Sequence, residues 1–160
     1  MKIFKRSNPG FTLVEIMVVI ILLSLSFMVF LQALNTGKSV RVNSEIRTIQ
    51  AVLLNSLQQE IRARKYDENN TLPWSQSLGP AANETTVTDF DDIDDFHQYT
   101  ISSFSSYPAF SCSVAVNYVD ASNGFHSPQS NPTNYKSVMV KISHKTQPAL
   151  TDTMIISSGF

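Results

Sequence analysis

A single carboxylate interrupts an apolar stretch near the N-terminus of this 160-residue chain. Glu15 follows Phe11-Thr12-Leu13-Val14, and the next charged residue is Lys38. An unpaired carboxylate costs up to about 3 kcal/mol near a bilayer centre and less near its edge. An acid at this position is therefore expected to have a partner or a function.

The residues just before this stretch suggest a partner. Pro9-Gly10 disfavours a helix and favours an exposed, extended backbone, which a protease can accept. Cleavage after Gly10 would turn the nitrogen of Phe11 into an α-amino group in the same apolar layer as Glu15. The carboxylate would then have a counter-charge.

The apolar stretch predicts a membrane-spanning helix. The uncharged residues 16–37 are enough to cross about 30 Å of hydrocarbon. Three leader residues, Lys2, Lys5 and Arg6, are basic, which places the N-terminus in the cytoplasm and residues 38–160 outside. A secretory signal peptide would have a shorter apolar core followed by an A-x-A cleavage site, which this stretch lacks.

Residues 5–19, K-R-S-N-P-G-F-T-L-V-E-I-M-V-V, resemble the class III leader and N-terminal segment of type IV prepilins and type II secretion pseudopilins. The resemblance implies cleavage between Gly10 and Phe11 by the prepilin peptidase, which also N-methylates Phe11. It implies that Glu15, with Thr12 beside it, serves assembly by pairing with the amine of a neighbouring subunit. The implied partners are this peptidase, other pilin subunits that pack through the N-terminal helix, and the inner-membrane assembly platform.

A second resemblance concerns residues 64–69, 78–80 and 90–97, which are similar to a pattern in minor pilin-like proteins of mannose-sensitive haemagglutinin (MSHA) type pilus systems. Two departures from major type IVa pilins point the same way. Cys112 is the only cysteine, so a C-terminal disulfide loop cannot close within the chain, and no proline occurs between Pro9 and Pro73. Both features favour a minor or accessory subunit.

Hydrophobic spacing predicts that the helix continues beyond the membrane. Apolar residues recur every three or four positions, which is typical of one helix face: Val42, Ile46, Ile49, Leu53, Leu57 and Ile61. The predicted organisation is a leader at 1–10, an assembly helix at 11–37, an amphipathic helix at 38–65 and a globular region at 66–160.

The C-terminal region predicts a sheet after a loop over residues 66–96. Period-2 alternation predicts strands at 110–118 and 136–144, with shorter ones at 97–103 and 152–158. An antiparallel sheet packed on the apolar stripe would bury both surfaces. The expected fold class is α+β, with the long helix and small sheet of a type IV pilin.

The loop contains an acidic run that has two interpretations: Asp89, Asp91, Asp92, Asp94 and Asp95. Several carboxylates in one loop favour Ca²⁺, although the glycine and terminal glutamate of an EF-hand are missing. Alternatively, the run is a structured loop that meets a basic patch on an adjacent subunit or caps Arg62 and Arg64. Phe90, Ile93 and Phe96, spaced by three, would hold it against the core.

Composition argues against several other functions. A net charge of −1, with the positive excess in the leader, disfavours nucleic-acid binding. A single cysteine excludes a cysteine-based zinc cluster, and the chain has neither a G-x-S-x-G nor an H-E-x-x-H motif, so no enzyme and no obligatory cofactor are expected. The expected function is a structural subunit of a type IV filament. The alternatives are a binding module at a pilus tip, such as an adhesin or uptake receptor, and a type II secretion pseudopilin.

Overall fold

The computed structural model describes residues 10–159 and begins with one long helix. This helix, α1, spans Leu13–Arg62. Its ends lie within three residues of the predicted ones. The chain divides between Ser44 and Glu45 into two compact units, so α1 contributes to both.

In the first unit, every described residue from Gly10 to Ser44 is exposed. The most apolar 18-residue window of α1 has a mean hydropathy of 2.8, and none of it is buried. By length and composition, α1 can therefore cross a membrane.

The second unit contains a four-stranded antiparallel sheet in which the strands lie side by side in the order in which they occur along the chain. The strands are β1 (Thr100–Ile101), β2 (Phe110–Tyr118), β3 (Tyr135–His144) and β4 (Leu150–Ser157). Strand β2 coincides with the predicted strand, whereas the first predicted strand is reduced to two residues. This α+β arrangement of a long N-terminal helix and an antiparallel sheet is pilin-like, as predicted.

The core lies between the sheet and the part of α1 in this unit. Alternate side chains of β2 and β3 are buried, as period 2 requires: Phe110, Cys112, Val114, Val116 and Tyr118, with Val138, Val140 and Ile142. Burial raises the pKa of the Cys112 thiol, which favours the unreactive protonated form.

The predicted helix stripe faces this core only in part. Leu57 and Ile61 are buried, and Ile46, Ile49 and Leu53 pack half-buried against the cluster. Val42 belongs to the first unit and is exposed. The spacing did not select Leu54, but Leu54 is buried and Leu53 is only half-buried. The buried face of the helix is therefore rotated by about one residue from the predicted face.

The connection between α1 and β1 is irregular, as expected, but it is well packed. Phe90, Ile93 and Phe96 are each at most 6% exposed, and Asp94–Phe96 forms a 3₁₀ turn. The ring centroids of Phe90 and Phe96 lie 5.1 Å apart in an edge-to-face contact. The predicted anchoring of the acidic run by these three residues is confirmed.

Candidate processing site and acidic loop

The predicted cleavage junction lies just outside the helix. Gly10 and Phe11 precede Leu13, the first residue of α1, and have no regular secondary structure. The side chain of Phe11 is 87% exposed. A Cβ added at Gly10 would meet no atom within 4 Å. The two described residues of this junction are therefore exposed.

Thr12 and Glu15 form a capping box at the start of α1. Glu15 Oε2 accepts hydrogen bonds from the backbone N–H of Thr12 at 2.8 Å and from its hydroxyl at 2.9 Å. The backbone N–H of Glu15 donates in return to Thr12 Oγ1 at 3.3 Å. Reciprocal bonds of this kind satisfy amide groups that the first helical turn leaves without partners.

This arrangement gives Glu15 a local partner that the charge pattern did not predict. The T-x-x-E spacing of Thr12 and Glu15 is the usual signal of a capping box, so it was available in the sequence. The predicted pairing with an amine would use the same carboxylate that caps the helix. The predicted leader charges Lys2, Lys5 and Arg6 lie outside the described residues.

In the acidic loop, each aspartate has a different set of partners. Asp89 Oδ2 accepts from the N–H and hydroxyl of Thr86. Asp91 Oδ2 lies 3.0 Å from Lys65 Nζ. The ion-pair partners differ from the expected Arg62 and Arg64: Arg62 Nε contacts Met154 Sδ at 3.1 Å, and Arg64 lies 3.8 Å from Glu60.

Asp92 and Asp95 organise the backbone of the loop. Asp92 Oδ1 accepts from the N–H groups of Asp94 at 2.9 Å and Asp95 at 3.2 Å. Asp95 Oδ2 accepts from the N–H groups of Asp91 at 2.9 Å and Asp92 at 3.0 Å. These bonds hold several carboxylates in a small volume, where they repel one another.

The electrostatic cost of this crowding appears in two acids. Burial, followed by the charge of Asp94, raises the pKa of Asp92 to about 8. At Glu84, the Ala81 amide favours the ionised form, but burial and the charge of Asp95 outweigh it and raise the pKa. Loss of hydration and a nearby negative charge both disfavour the ionised form of a carboxyl group.

The fourth acid of the run, Asp94, belongs to a buried ion network. Lys136 Nζ donates to Asp94 Oδ1, to Asp67 Oδ2 at 3.1 Å and to the carbonyl oxygen of Tyr66. The lysine and Asp67 side chains are both fully buried. The hydroxyl of Tyr118 donates to the same Asp67 oxygen at 3.0 Å.

Sequence reasoning missed this network, although one signal was present. Lys136 shares its inward register with Val138 and Val140 on β3, so the period-2 pattern placed a lysine on the buried face. No comparable pattern identified Asp67.

Two further acids complete the cluster around Asp91. One carboxylate oxygen each from Glu68, Asp91 and Asp92 lie within 4.8 Å of one another, and the same holds for Glu84, Asp91 and Asp95. Asp89 and Asp94, which the sequence included, are in neither group. The loop therefore gathers its carboxylates in a different combination from the linear run.

Comparison with known proteins identifies the N-terminal segment. Residues 5–31 match the family described as the prokaryotic N-terminal methylation motif. The chain carries a type IV prepilin-like leader. This leader implies processing by prepilin peptidase and assembly with other pilins, and the apolar α1 is consistent with a single-pass inner-membrane anchor. No curated protein and no solved structure matches the chain.

Proposed function

We propose that the protein is an accessory (minor) pilin or pseudopilin that is cleaved between Gly10 and Phe11, N-methylated at Phe11 and assembled into, or primes, a type IV pilus-like filament. The observation that carries this proposal is the methylation motif at the start of a helix whose apolar residues from Leu13 to Leu34 are exposed. In this proposal its role is structural and not catalytic, and nucleic acid is not one of its partners.

The exposed surface of α1 supports storage in lipid followed by helix packing. Large apolar side chains between Leu13 and Leu34 are 44–73% exposed, which is unfavourable in water. Lipid covers such a surface before assembly, and the helices of other subunits cover it afterwards. The basic leader on one side and the polar C-terminal unit on the other support a cytoplasmic N-terminus and an extracytoplasmic C-terminal domain.

Two features support an accessory position over that of the principal subunit. Cys112 is buried on β2 and is the chain's only cysteine, so no intrachain disulfide closes a C-terminal loop. Helix α1 also contains no proline. The resemblance of residues 90–97 to minor MSHA-type proteins makes that pilus system our preferred assignment.

Substitution at Gly10 tests the processing step. We expect wild-type protein co-expressed with prepilin peptidase to lose residues 1–10 and gain one methyl group, as measured by intact mass. Gly10→Val is expected to keep its full mass, because the peptidase must accept the residue before the cut bond. The fold tolerates this change, since a Cβ at Gly10 meets no atom within 4 Å.

Gly37→Val is the matched control, because a Cβ at Gly37 also has free space. It lies within α1, far along the chain from the junction, and should be processed normally. Equal processing of Gly10→Val and wild type would contradict the cleavage site. An unchanged wild-type mass in the presence of active peptidase would contradict the proposed function itself.

A further inference from the structure

Two buried carboxylate oxygens in the acidic loop lack hydrogen-bond partners within the described part of the chain. They are Oδ1 of Asp91 and Oδ2 of Asp92. Asp92 as a whole is 0% exposed, so water does not reach this oxygen from the surface. A buried oxygen without a partner is costly, so a cation placed beside it would stabilise the loop.

Both oxygens belong to residues whose carboxylates converge. Glu68 supplies the third carboxylate, and one oxygen from each of the three residues lies within 4.8 Å of the others. Two oxygens bound to one Ca²⁺ ion are separated by at most about twice the metal–oxygen distance of 2.3–2.6 Å. The spacing of these three carboxylates is therefore within the range that one Ca²⁺ ion can bridge.

The charged groups around these oxygens also favour a cation, because carboxylates outnumber the basic groups near them. Lys65 Nζ bonds the other oxygen of Asp91, but it is a surface group with 60% of its side chain exposed. Lys136 forms its ion pairs with Asp67 and Asp94. Glu84 and Asp95 add further negative charge, because each has a carboxylate oxygen within 4.8 Å of one from Asp91.

We infer that Glu68, Asp91 and Asp92 form a calcium-binding site, with Glu84 and Asp95 contributing charge beside it. Asp91 Oδ1, Asp92 Oδ2 and the two oxygens of Glu68 give up to four protein ligands, because the other oxygens of Asp91 and Asp92 are already bonded to Lys65 and to backbone N–H groups. The exposed Glu68 leaves room for water as an additional ligand.

The position of this site gives the ion a structural consequence. The N–H of Lys65 donates to the carbonyl of Asp91, and the N–H of Ile93 donates to the carbonyl of Lys65. An ion bound by Asp91 and Asp92 would therefore stabilise the contact between the end of α1 and the acidic loop. Calcium would stabilise the folded chain, since it binds the native arrangement and not the unfolded one.

The test is the melting temperature of the full chain in non-ionic detergent, after treatment with a chelator and then with CaCl₂. We expect 5 mM CaCl₂ to raise the melting temperature by roughly 3 °C or more, with a dissociation constant near or below about 10⁻³ M by isothermal titration. NaCl at equal ionic strength is expected to have a much smaller effect.

Two variants remove ligands without removing the fold. Asp92→Asn keeps the Oδ1 acceptor for the N–H groups of Asp94 and Asp95, and Glu68→Gln alters an exposed side chain. Each is expected to weaken calcium binding at least tenfold. Asp89→Asn is the matched control, because it removes one charge from the same run outside the site and should bind as wild type does.

Several results would overturn the inference. One is the absence of both heat and a melting shift at 5 mM CaCl₂, and another is an equal shift with NaCl, which would reflect charge screening. Equal loss of binding in Asp89→Asn and Glu68→Gln would indicate diffuse attraction to the acidic loop in place of a defined site.

Discussion

Lys136 Nζ lies 3.1 Å from Asp67 Oδ2, and neither side chain is exposed. The two residues are 69 positions apart in the chain. Asp94 holds the same ammonium from the 3₁₀ turn, and the ammonium lies 4.4 Å from the ring centroid of Tyr66. This network connects β3 with both ends of the loop that follows α1.

Removal of the lysine should destabilise the protein strongly. Lys136→Met leaves Asp67 and Asp94 buried without their cation, which costs about 3–5 kcal/mol in comparable buried pairs. We expect a loss of this size in the free energy of unfolding, measured by denaturant titration of the full chain in detergent. Lys141→Met, on the same strand but exposed, should change it by less than about 0.5 kcal/mol. Similar effects of the two substitutions would contradict a stabilising role for the buried network.

The same network predicts a pH dependence. Burial opposes ionisation of Asp67, but the N–H of Asn69, the charge of Lys136 and the Ser75 hydroxyl outweigh it and lower its pKa below 3.8. A carboxyl whose folded pKa is lowered stabilises the fold above its unfolded pKa, and this contribution disappears as the pH falls through the folded value. We expect the stability difference between wild type and Asp67→Asn to be constant above about pH 5 and to shrink below about pH 4. A pH-independent difference would show that the Asp67 charge does not contribute.

A buried glutamine joins α1 to the end of the sheet. Gln50 is 0% exposed, and its Nε2 donates to the carbonyls of Ile142 at 3.3 Å and Pro148 at 3.2 Å. Gln50→Ala leaves these acceptors without that donor and should cost about 1–3 kcal/mol of stability. The exposed Gln59 provides the control, since Gln59→Ala removes the same groups from the opposite surface of the helix. The prediction fails if the two variants have the same midpoint in denaturant.

The two roles available to Glu15 can be separated by a pair of substitutions. Glu15→Gln keeps an oxygen for the capping box with Thr12 but removes the charge, whereas Glu15→Ala removes both. If the carboxylate pairs with the amine of Phe11 in a neighbouring subunit, both variants should be processed but should join filaments poorly. The measurement is the amount of each variant in sheared filaments relative to the membrane fraction. Normal incorporation of Glu15→Gln would show that capping alone accounts for this acid.

The features that the sequence predicted well depend on local patterns. The uncharged run after Glu15 predicted the membrane-capable part of α1, and strict alternation predicted β2 together with its buried side chains. These inferences succeeded because helix and strand geometry places residues on a face according to their spacing alone. Burial along the second half of α1 was predicted less accurately, because packing on the sheet can turn a helix about its own axis by the angle between successive residues.

Local sequence patterns were enough to predict the prepilin-like leader, the long helix, the alternating strands and the presence of an acidic loop. Which acids act together depends on the folded arrangement of the chain. Asp94 pairs with Lys136, while Glu68 joins Asp91 and Asp92, and no regular spacing relates these residues. Charges interact according to distance and burial after folding, and an irregular loop brings together side chains that no helix or strand period connects.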